Sequence, residues 1–311
     1  MSLTFADKVV YELNSAAVGD LVAAAPALKW SIETYHKEKE YKVAVYPEFR
    51  ELFPFVPDDK ITELTNDYDK SFAVRQVNMN GGGGNVCRLT PSRLKLTHYA
   101  CIGLLGRIIP DIHLKYVPLP EVDVSKFGID FSKAVVIVTT YRDAARAWRG
   151  SEISRFAKYI AKRGFQPVFV GREGKVSIWK TLAVSDFEYE EGLGIDLRNK
   201  TSLTELATIM GKSRAVVAVD GGPLHLAFTT NTPVIAGFTN VNPHLRVPPR
   251  NEGTKTIAVT PAVLCKFCQS DWDLDFWNFT KCPRGQALPD CTNELTAELF
   301  LNAFNKLDLT V

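Results

Sequence analysis

The sequence predicts an α/β fold made of two doubly wound units, and three observations carry that expectation. Short β-branched runs alternate with stretches of helical periodicity along the chain, the arrangement that builds a mostly parallel sheet. The alternation breaks at one stretch rich in proline, glycine and charge, then restarts. The 311 residues also suffice for two domains of ordinary size.

Taken in order, KVVYEL (8–13) is a strand, NSAAVGD a turn, and LVAAAPALKWSIETYHK a helix with apolar residues at helical spacing. KVAVYPEF is a second strand, and FPFVPDDKITEL a loop leading to another short element. VPLPEVDVSKFGID (117–130) reads as the linker, giving an N-terminal domain over 1–128 and a C-terminal domain over 129–311. The rhythm resumes with AVVIVTT (134–140), a buried strand, SEISRFAKYIAKRG (151–164), an amphipathic helix closed by Gly164, and the strand PVFVG (167–171). SLTELATIMGKS is a helix opened by Ser202 with Glu205 three residues on, the pattern of a capping box. AVVAVD (215–220) is a strand, GGPLHLAFTTN opens a helix, and PVIAGF (233–238) is a strand. TNELTAELFLNAFNKL reads as one amphipathic helix finishing the chain.

Hydrophobic residues at 46% and charged residues at 23% exclude disorder as the dominant state. No apolar run reaches the ~18 residues of a spanning helix. The start, MSLTFADKVVYELNSAAVGD, lacks the basic opening and unbroken apolar core of a signal peptide, so a cytoplasmic protein is expected. A net charge of +2 neither demands nor forbids nucleic acid. The halves differ, with −2 over residues 1–130 and +4 over 131–311, which makes the second half the better home for an anionic ligand.

The segment AVVAVDGGPLHLAFTTNTPVIAGF delivers Asp220 and Gly221-Gly222 from a buried strand to a helix start, where free N–H groups suit a phosphate. Glycine at both positions leaves room for a pyrophosphate to approach those N–H groups, and His225 falls one turn on. The plainer reading has Asp220 capping the helix and His225 packed inside. Gly19 and Asp20 hold the matching place in the first βα turn, where a carboxylate either takes a proton from an acceptor hydroxyl or caps the helix.

VGDLVAAAPAL together with SLTELATIMGKSRAVVAVDGGPLHLAFTTNTPVIAGF, in that order some 200 residues apart, resembles glycosyltransferase family 9, the ADP-heptose:lipopolysaccharide heptosyltransferases and their relatives. The resemblance extends over most of the chain and includes the later CPRG…C before the terminal helix. It implies a GT-B architecture: two Rossmann-like domains facing a cleft, the acceptor on the first and the nucleotide sugar on the second. It also implies an inverting, metal-independent transfer with Asp20 as general base. Asp220 and the amides of Gly221, Gly222 and Leu224 would hold the donor, with His225 and Thr140 supporting that grip.

Where the family usually has Pro-Gly followed by a lysine and an aromatic, this chain has TTYRDAARAWRG, a departure that leaves donor identity open between UDP- and ADP-sugars. Arg142, Arg146 and Arg149 are the cations there, Arg146 being the choice for the diphosphate; the alternative is a solvated helix face. Arg172 contacts base or ribose, or is a surface arginine.

NGGGGNVCRLTPSRLKLTHYACIGLLGR, AGFTNVNPHLRVPPR and CKFCQS are similar to family-9-like proteins of tailed phages. That similarity implies a 5-hydroxymethylated pyrimidine of DNA as acceptor, with Arg88, Arg93 and Lys95 on its phosphates and Gly81 to Gly84 as an adaptable loop. A lipopolysaccharide or other glycan is the alternative acceptor, and a non-catalytic nucleotide-sugar binder the alternative function.

Six cysteines without an export signal do not suggest a disulfide framework. Cys265, Cys268, Cys282 and Cys291 have the ligand count of a structural zinc site within the loop 265–291, although only the first pair has Cys-x2-Cys spacing. Reduced packed thiols or a redox-labile pair are the alternatives. Trp272, Phe276, Trp277 and Phe279 pack that loop down or, less simply, stack on a flipped base.

Overall fold

The computed structural model describes residues 8–13, 17–35, 40–63, 76–78, 95–105, 107–142, 144–175, 182–268, 282–287 and 289–311. Four parallel strands, β1 (Lys8–Leu13), β2 (Glu40–Val45), β3 (Ile61–Glu63) and β4 (Gln76–Asn78), form a first sheet in the order β3-β2-β1-β4. Helix α1 (Val18–Tyr35) follows β1 and packs beside α2 (Leu96–Leu105). Apart from Asp20, every residue of α1 from Gly19 to Leu28 is buried, which its run of alanines and leucines permits.

The second sheet contains β5 (Ala134–Val138), β6 (Gln166–Val170), β9 (Ile195–Asp196), β10 (Ala215–Val219), β11 (Val234–Gly237) and β12 (Thr256–Val259). All are parallel, in the order β12-β11-β10-β5-β6-β9. Counted by appearance this is 3-2-1-4-5-6, the doubly wound dinucleotide-binding order, and the first sheet repeats its opening as 3-2-1-4. Strands β7 (Gly174–Lys175) and β8 (Leu182–Ala183) make a separate antiparallel pair. The central strands AVVIV and AVVAV are buried along their whole length, as continuous apolar runs in a sheet covered on both faces must be.

Helices α3 (Gly150–Lys162), α4 (Leu203–Lys212), α5 (Gly222–Ala227), α6 (Asp290–Asn293) and α7 (Ala297–Asn305) complete the second unit. Gly164 ends α3 at φ +89°, and Ser202 and Glu205 form the reciprocal capping box at α4. One buried cluster runs unbroken from Leu13, Leu28 and Val43 to Val216, Leu224 and Phe228, so the first sheet and one face of the second share a core. A second cluster, including Phe156, Val217, Phe300 and Phe304, covers the other face.

The terminal segment is not one helix. Thr296 is extended (φ −82°, ψ 162°), and the Ala297 N–H donates to the Glu152 carboxylate of α3 at 2.6 Å, so an acceptor on a neighbouring helix fixes a fresh start for α7. Phe300 then stacks on Trp148 with ring centroids 4.0 Å apart. Among the described residues no helix is long and apolar enough to cross a membrane.

Candidate functional site

Each sheet changes winding direction once, between β1 and β4 in the first and between β5 and β10 in the second, and open α/β sheets bind ligands beyond the carboxyl ends of strands at such points. Asp20 follows β1, Thr140 and Arg146 follow β5, and Asp220 follows β10. Asp20 is not a cap: α1 begins at Val18, which puts the carboxylate inside the first turn, where the helix dipole favours it.

The two switch points meet through the starts of α1 and α5. A Cβ at Gly19 would stand 2.8 Å from Cδ2 of His225, and one at Gly222 would stand 3.1 Å from Cβ of Val18. The space that glycine frees at 222 is therefore occupied by α1, whereas a Cβ at Gly221 would meet nothing nearer than 3.8 Å. Leu224 is wholly buried between the two units.

Asp220 is 4% exposed and anchors a charge cluster. Its carboxylate lies 3.4 Å from Arg146 Nη1, 3.8 Å from Arg246 Nε and 3.8 Å from His225 Nε2. Burial alone would raise the Asp220 carboxyl, but the positive charge of Arg146, with His225 and Arg246, outweighs it and holds the group well below the usual carboxylate range. His225, 3% exposed, is enclosed: Nδ1 faces the Tyr116 hydroxyl at 2.9 Å while Nε2 faces Asp220. Burial raises the Tyr116 phenol far above its ordinary value, so the hydroxyl stays protonated. Burial likewise lowers Arg246, against the pull of Asp220. The charge of Asp20 bears on both Tyr116 and Arg246, which ties the first switch point electrostatically to the second.

Sequence reasoning missed Tyr116 and Arg246. Arg246 sits in the run AGFTNVNPHLRVPPR after β11, a strand adjacent to β10, and strand adjacency is the signal that brings it to Asp220. Tyr116 directly precedes the segment 117–130, and no spacing in the sequence points to it.

Of the other expected residues, Thr140 is buried against Gly171 and Arg172 is exposed on the loop after β6. Arg142 is exposed, and Arg149 is the residue preceding α3. Lys95 is turned to a different task, pairing with Asp111 at 2.6 Å beside His98 at 2.7 Å. Hydrogen bonds from Lys95 and His98 hold the Asp111 carboxyl below its usual range. Arg88, Arg93, Gly81 to Gly84 and the aromatics Trp272, Phe276, Trp277 and Phe279 lie outside the described residues.

Cys268 and Cys291 are buried, and Cys265 and Cys282 half-buried. Burial, with Cys268, Cys265 and Cys282 nearby, pushes the Cys291 thiol up to about 12. The four sulfurs are thus neighbours, yet among the described residues no three His, Cys, Asp or Glu side chains are gathered into a metal-binding set.

The strand order and the facing helix starts define an α/β protein of parallel sheets similar to the GT-B heptosyltransferases. Residues 119–270 match the sequence profile of Glycosyltransferase family 9 (heptosyltransferase). No curated protein matches the chain. Among solved structures, the iron-containing dodecameric glycosyltransferase TibC from enterotoxigenic E. coli H10407 superposes with a TM-score of 0.72 at 18% identity, over 97% of this chain and 76% of that one. E. coli ADP-heptose LPS heptosyltransferase II gives 0.62 at 14% identity over 96% and 98%. E. coli heptosyltransferase WaaC, with ADP-2-deoxy-2-fluoro heptose, gives 0.55 at 12% identity over 96% and 99%.

Proposed function

We propose that the chain is a GT-B glycosyltransferase of the heptosyltransferase type, moving a sugar from a nucleoside-diphosphate donor to the hydroxyl of a glycan with inversion. Its domains divide near residue 128, the acceptor lying on the first and the donor on the second. The observation that carries this reading is the apposition of the two switch points, with a carboxylate, Asp20, on one side and two guanidinium groups, Arg146 and Arg246, on the other.

In this reading the Asp20 carboxylate takes the proton of the acceptor hydroxyl as its oxygen attacks the anomeric carbon. The glycosidic bond to the diphosphate breaks on the opposite face, and the leaving group carries away the electron pair. Asp220 is a positioning residue: it is too buried to grip the donor itself, and it fixes Arg146 and Arg246. Arg146 and Arg246 bring guanidinium charge to the place where the diphosphate would depart, where preorganised charge counts most. Arg172 and Thr140, beyond β6 and β5, stand on the same sheet edge for the nucleoside.

The glycan acceptor is favoured over hydroxymethylated DNA for two reasons. The solved matches include an ADP-heptose LPS heptosyltransferase, and Lys95, one of the three cations expected to meet phosphates, is engaged by Asp111. Cys265, Cys268, Cys282 and Cys291 supply a donor set that suits a structural zinc or iron away from the chemistry, and TibC is iron-containing. One equivalent of metal by elemental analysis, lost in Cys282→Ser, is the expected result.

The deciding experiment offers ADP- and UDP-sugars with a lipopolysaccharide core saccharide or hydroxymethylcytosine DNA, following diphosphate release and the anomeric configuration of the product. Asp20→Asn should lower kcat by roughly 100- to 10,000-fold with the donor KM unchanged. Unaltered turnover removes Asp20 as base, and release dependent on DNA alone removes the glycan acceptor.

A further inference from the structure

Arg146 is carried by a single 3-10 turn, Ala144–Arg146, between β5 and α3. So short a turn has no stability of its own, and what it rests on decides where the guanidinium stands. Asp220 holds Arg146 at its side-chain end, Nη1 being 3.4 Å from the carboxylate. The main chain of the turn is held from elsewhere. Thr239, just past β11 and buried, donates its hydroxyl to the carbonyl of Ala145, the residue before Arg146. The carbonyl of the same Thr239 accepts the Phe267 N–H at 2.7 Å. One residue thus links the Arg146 turn to the stretch between Cys265 and Cys268. The far end of the cysteine loop reaches the same turn, because α6, which carries Cys291, packs against Ala144–Arg146.

Phe267 is itself held firmly. Its φ of +57° lies in the left-handed region, which a residue with a bulky side chain occupies only where its surroundings fix it. Its half-buried ring packs against the core that the two sheets share. The cysteine segment stands away from the reacting atoms, yet it braces the turn that brings Arg146 to Asp220. Thr239 can join the two because its hydroxyl and its carbonyl face different partners. Losing the hydroxyl would cut the link to Ala145 and leave the main-chain bond to Phe267 in place.

We propose that Thr239 is a positioning residue for Arg146, holding its turn against the cysteine segment, so that the setting of the Phe267 main chain governs affinity for a nucleoside diphosphate. This rests on the reading of Arg146 as a cation for the departing diphosphate. Thr239 acts through Ala145: a shift of that carbonyl displaces the guanidinium of the next residue. A misplacement of about 1 Å from a change far from the chemistry can cost about 100-fold.

ADP and UDP are the probes, titrated calorimetrically into the full chain and its variants, with a melting curve for each. Thr239→Val keeps the side-chain shape and removes the hydroxyl, and should weaken the nucleotide that the parent binds by at least about fivefold. Thr239→Ser keeps the hydroxyl and should hold affinity within about twofold of the parent. In an Arg146→Ala background Thr239→Val should add less than about twofold, whereas a general loosening of the fold would add its full effect. Donor KM should rise in Thr239→Val with acceptor KM unchanged. Because coupling is reciprocal, nucleotide should also slow hydrogen exchange at the Phe267 amide of the parent by at least about threefold, a readout that stands even if Thr239→Val folds poorly. Full affinity in Thr239→Val beside a weakened Arg146→Ala overturns the proposal and leaves the transfer reading standing. So does a fully additive loss in the double variant, and so does Phe267 exchange that ignores bound nucleotide. Unaltered affinity in Arg146→Ala, or a parent that binds neither nucleotide, removes the diphosphate role of Arg146 and the proposal with it.

Discussion

The Tyr116 hydroxyl and Nδ1 of His225 lie 2.9 Å apart, joining a residue just ahead of the segment 117–130 to a residue 109 positions later in the helix that follows β10. Because Nε2 of the same ring faces Asp220, the contact fixes which nitrogen accepts and which donates. Tyr116→Phe leaves a buried acceptor without its donor and should cost about 1–3 kcal/mol in urea unfolding. Nitrogen NMR of the imidazole should show a mixed tautomer in place of a single one, and an unchanged spectrum would contradict the assignment.

Asp220→Asn removes the carboxylate that the part-buried Arg146 and the buried Arg246 approach within 4 Å. Breaking a buried ion pair from one side costs about 3–5 kcal/mol, so the variant should unfold at markedly lower denaturant and lose turnover. The pH dependence has a definite sign. A carboxyl held below its ordinary value stabilises the fold above the unfolded pKa of about 3.9, and that contribution fades as pH falls toward the folded value. Parent stability should therefore drop steeply below about pH 4, and the drop should be shallower in Asp220→Asn.

Two glycines give opposite expectations. In Gly19→Ala the new methyl meets the buried His225 ring at 2.8 Å, so a loss of about 1–3 kcal/mol is expected together with reduced turnover. At Gly211, inside α4, a Cβ meets only Thr230 at 3.7 Å, and alanine should gain about 0.5–1 kcal/mol from helix propensity. Melting curves of the pair would separate close approach from a general intolerance of substitution.

Much of this architecture was legible because its signals are local. Buried runs such as AVVIV and AVVAV show their strands directly, and Ser202 with Glu205 marks a helix start that forms as written. Asp20 and Asp220 could be found because strand, turn and helix follow one another in the chain. Where the outcome depended on a partner distant in sequence, the sequence was silent or misleading. Glu152 restarts the final helix at Ala297, Asp111 draws off Lys95, and α1 fills the space beside Gly222. The short strands β9 and β12 are specified by the neighbours they pair with, Val168 and Phe169 for β9 and residues of β11 for β12, more than by their own composition.

Glu51 supplies the last test, because it stands in the first half of the chain and serves a helix in the second. Its carboxylate accepts the backbone N–H groups of Leu203 and Thr204, both at 3.0 Å, and the Thr204 hydroxyl as well. These are among the donors that a helix start leaves without intrahelical partners, and a negative charge there also opposes the helix dipole. Glu51→Ala should cost about 1–2 kcal/mol, as loss of a helix cap does, and Glu51→Gln less, since an amide oxygen still accepts. Hydrogen exchange distinguishes a local cap from a joint between the halves. If Glu51 only caps α4, exchange should quicken at Leu203 and Thr204 alone. Because α4 packs on α5, and α5 on α1, we expect faster exchange also in the first turn of α5, with the amides of β12 unaffected.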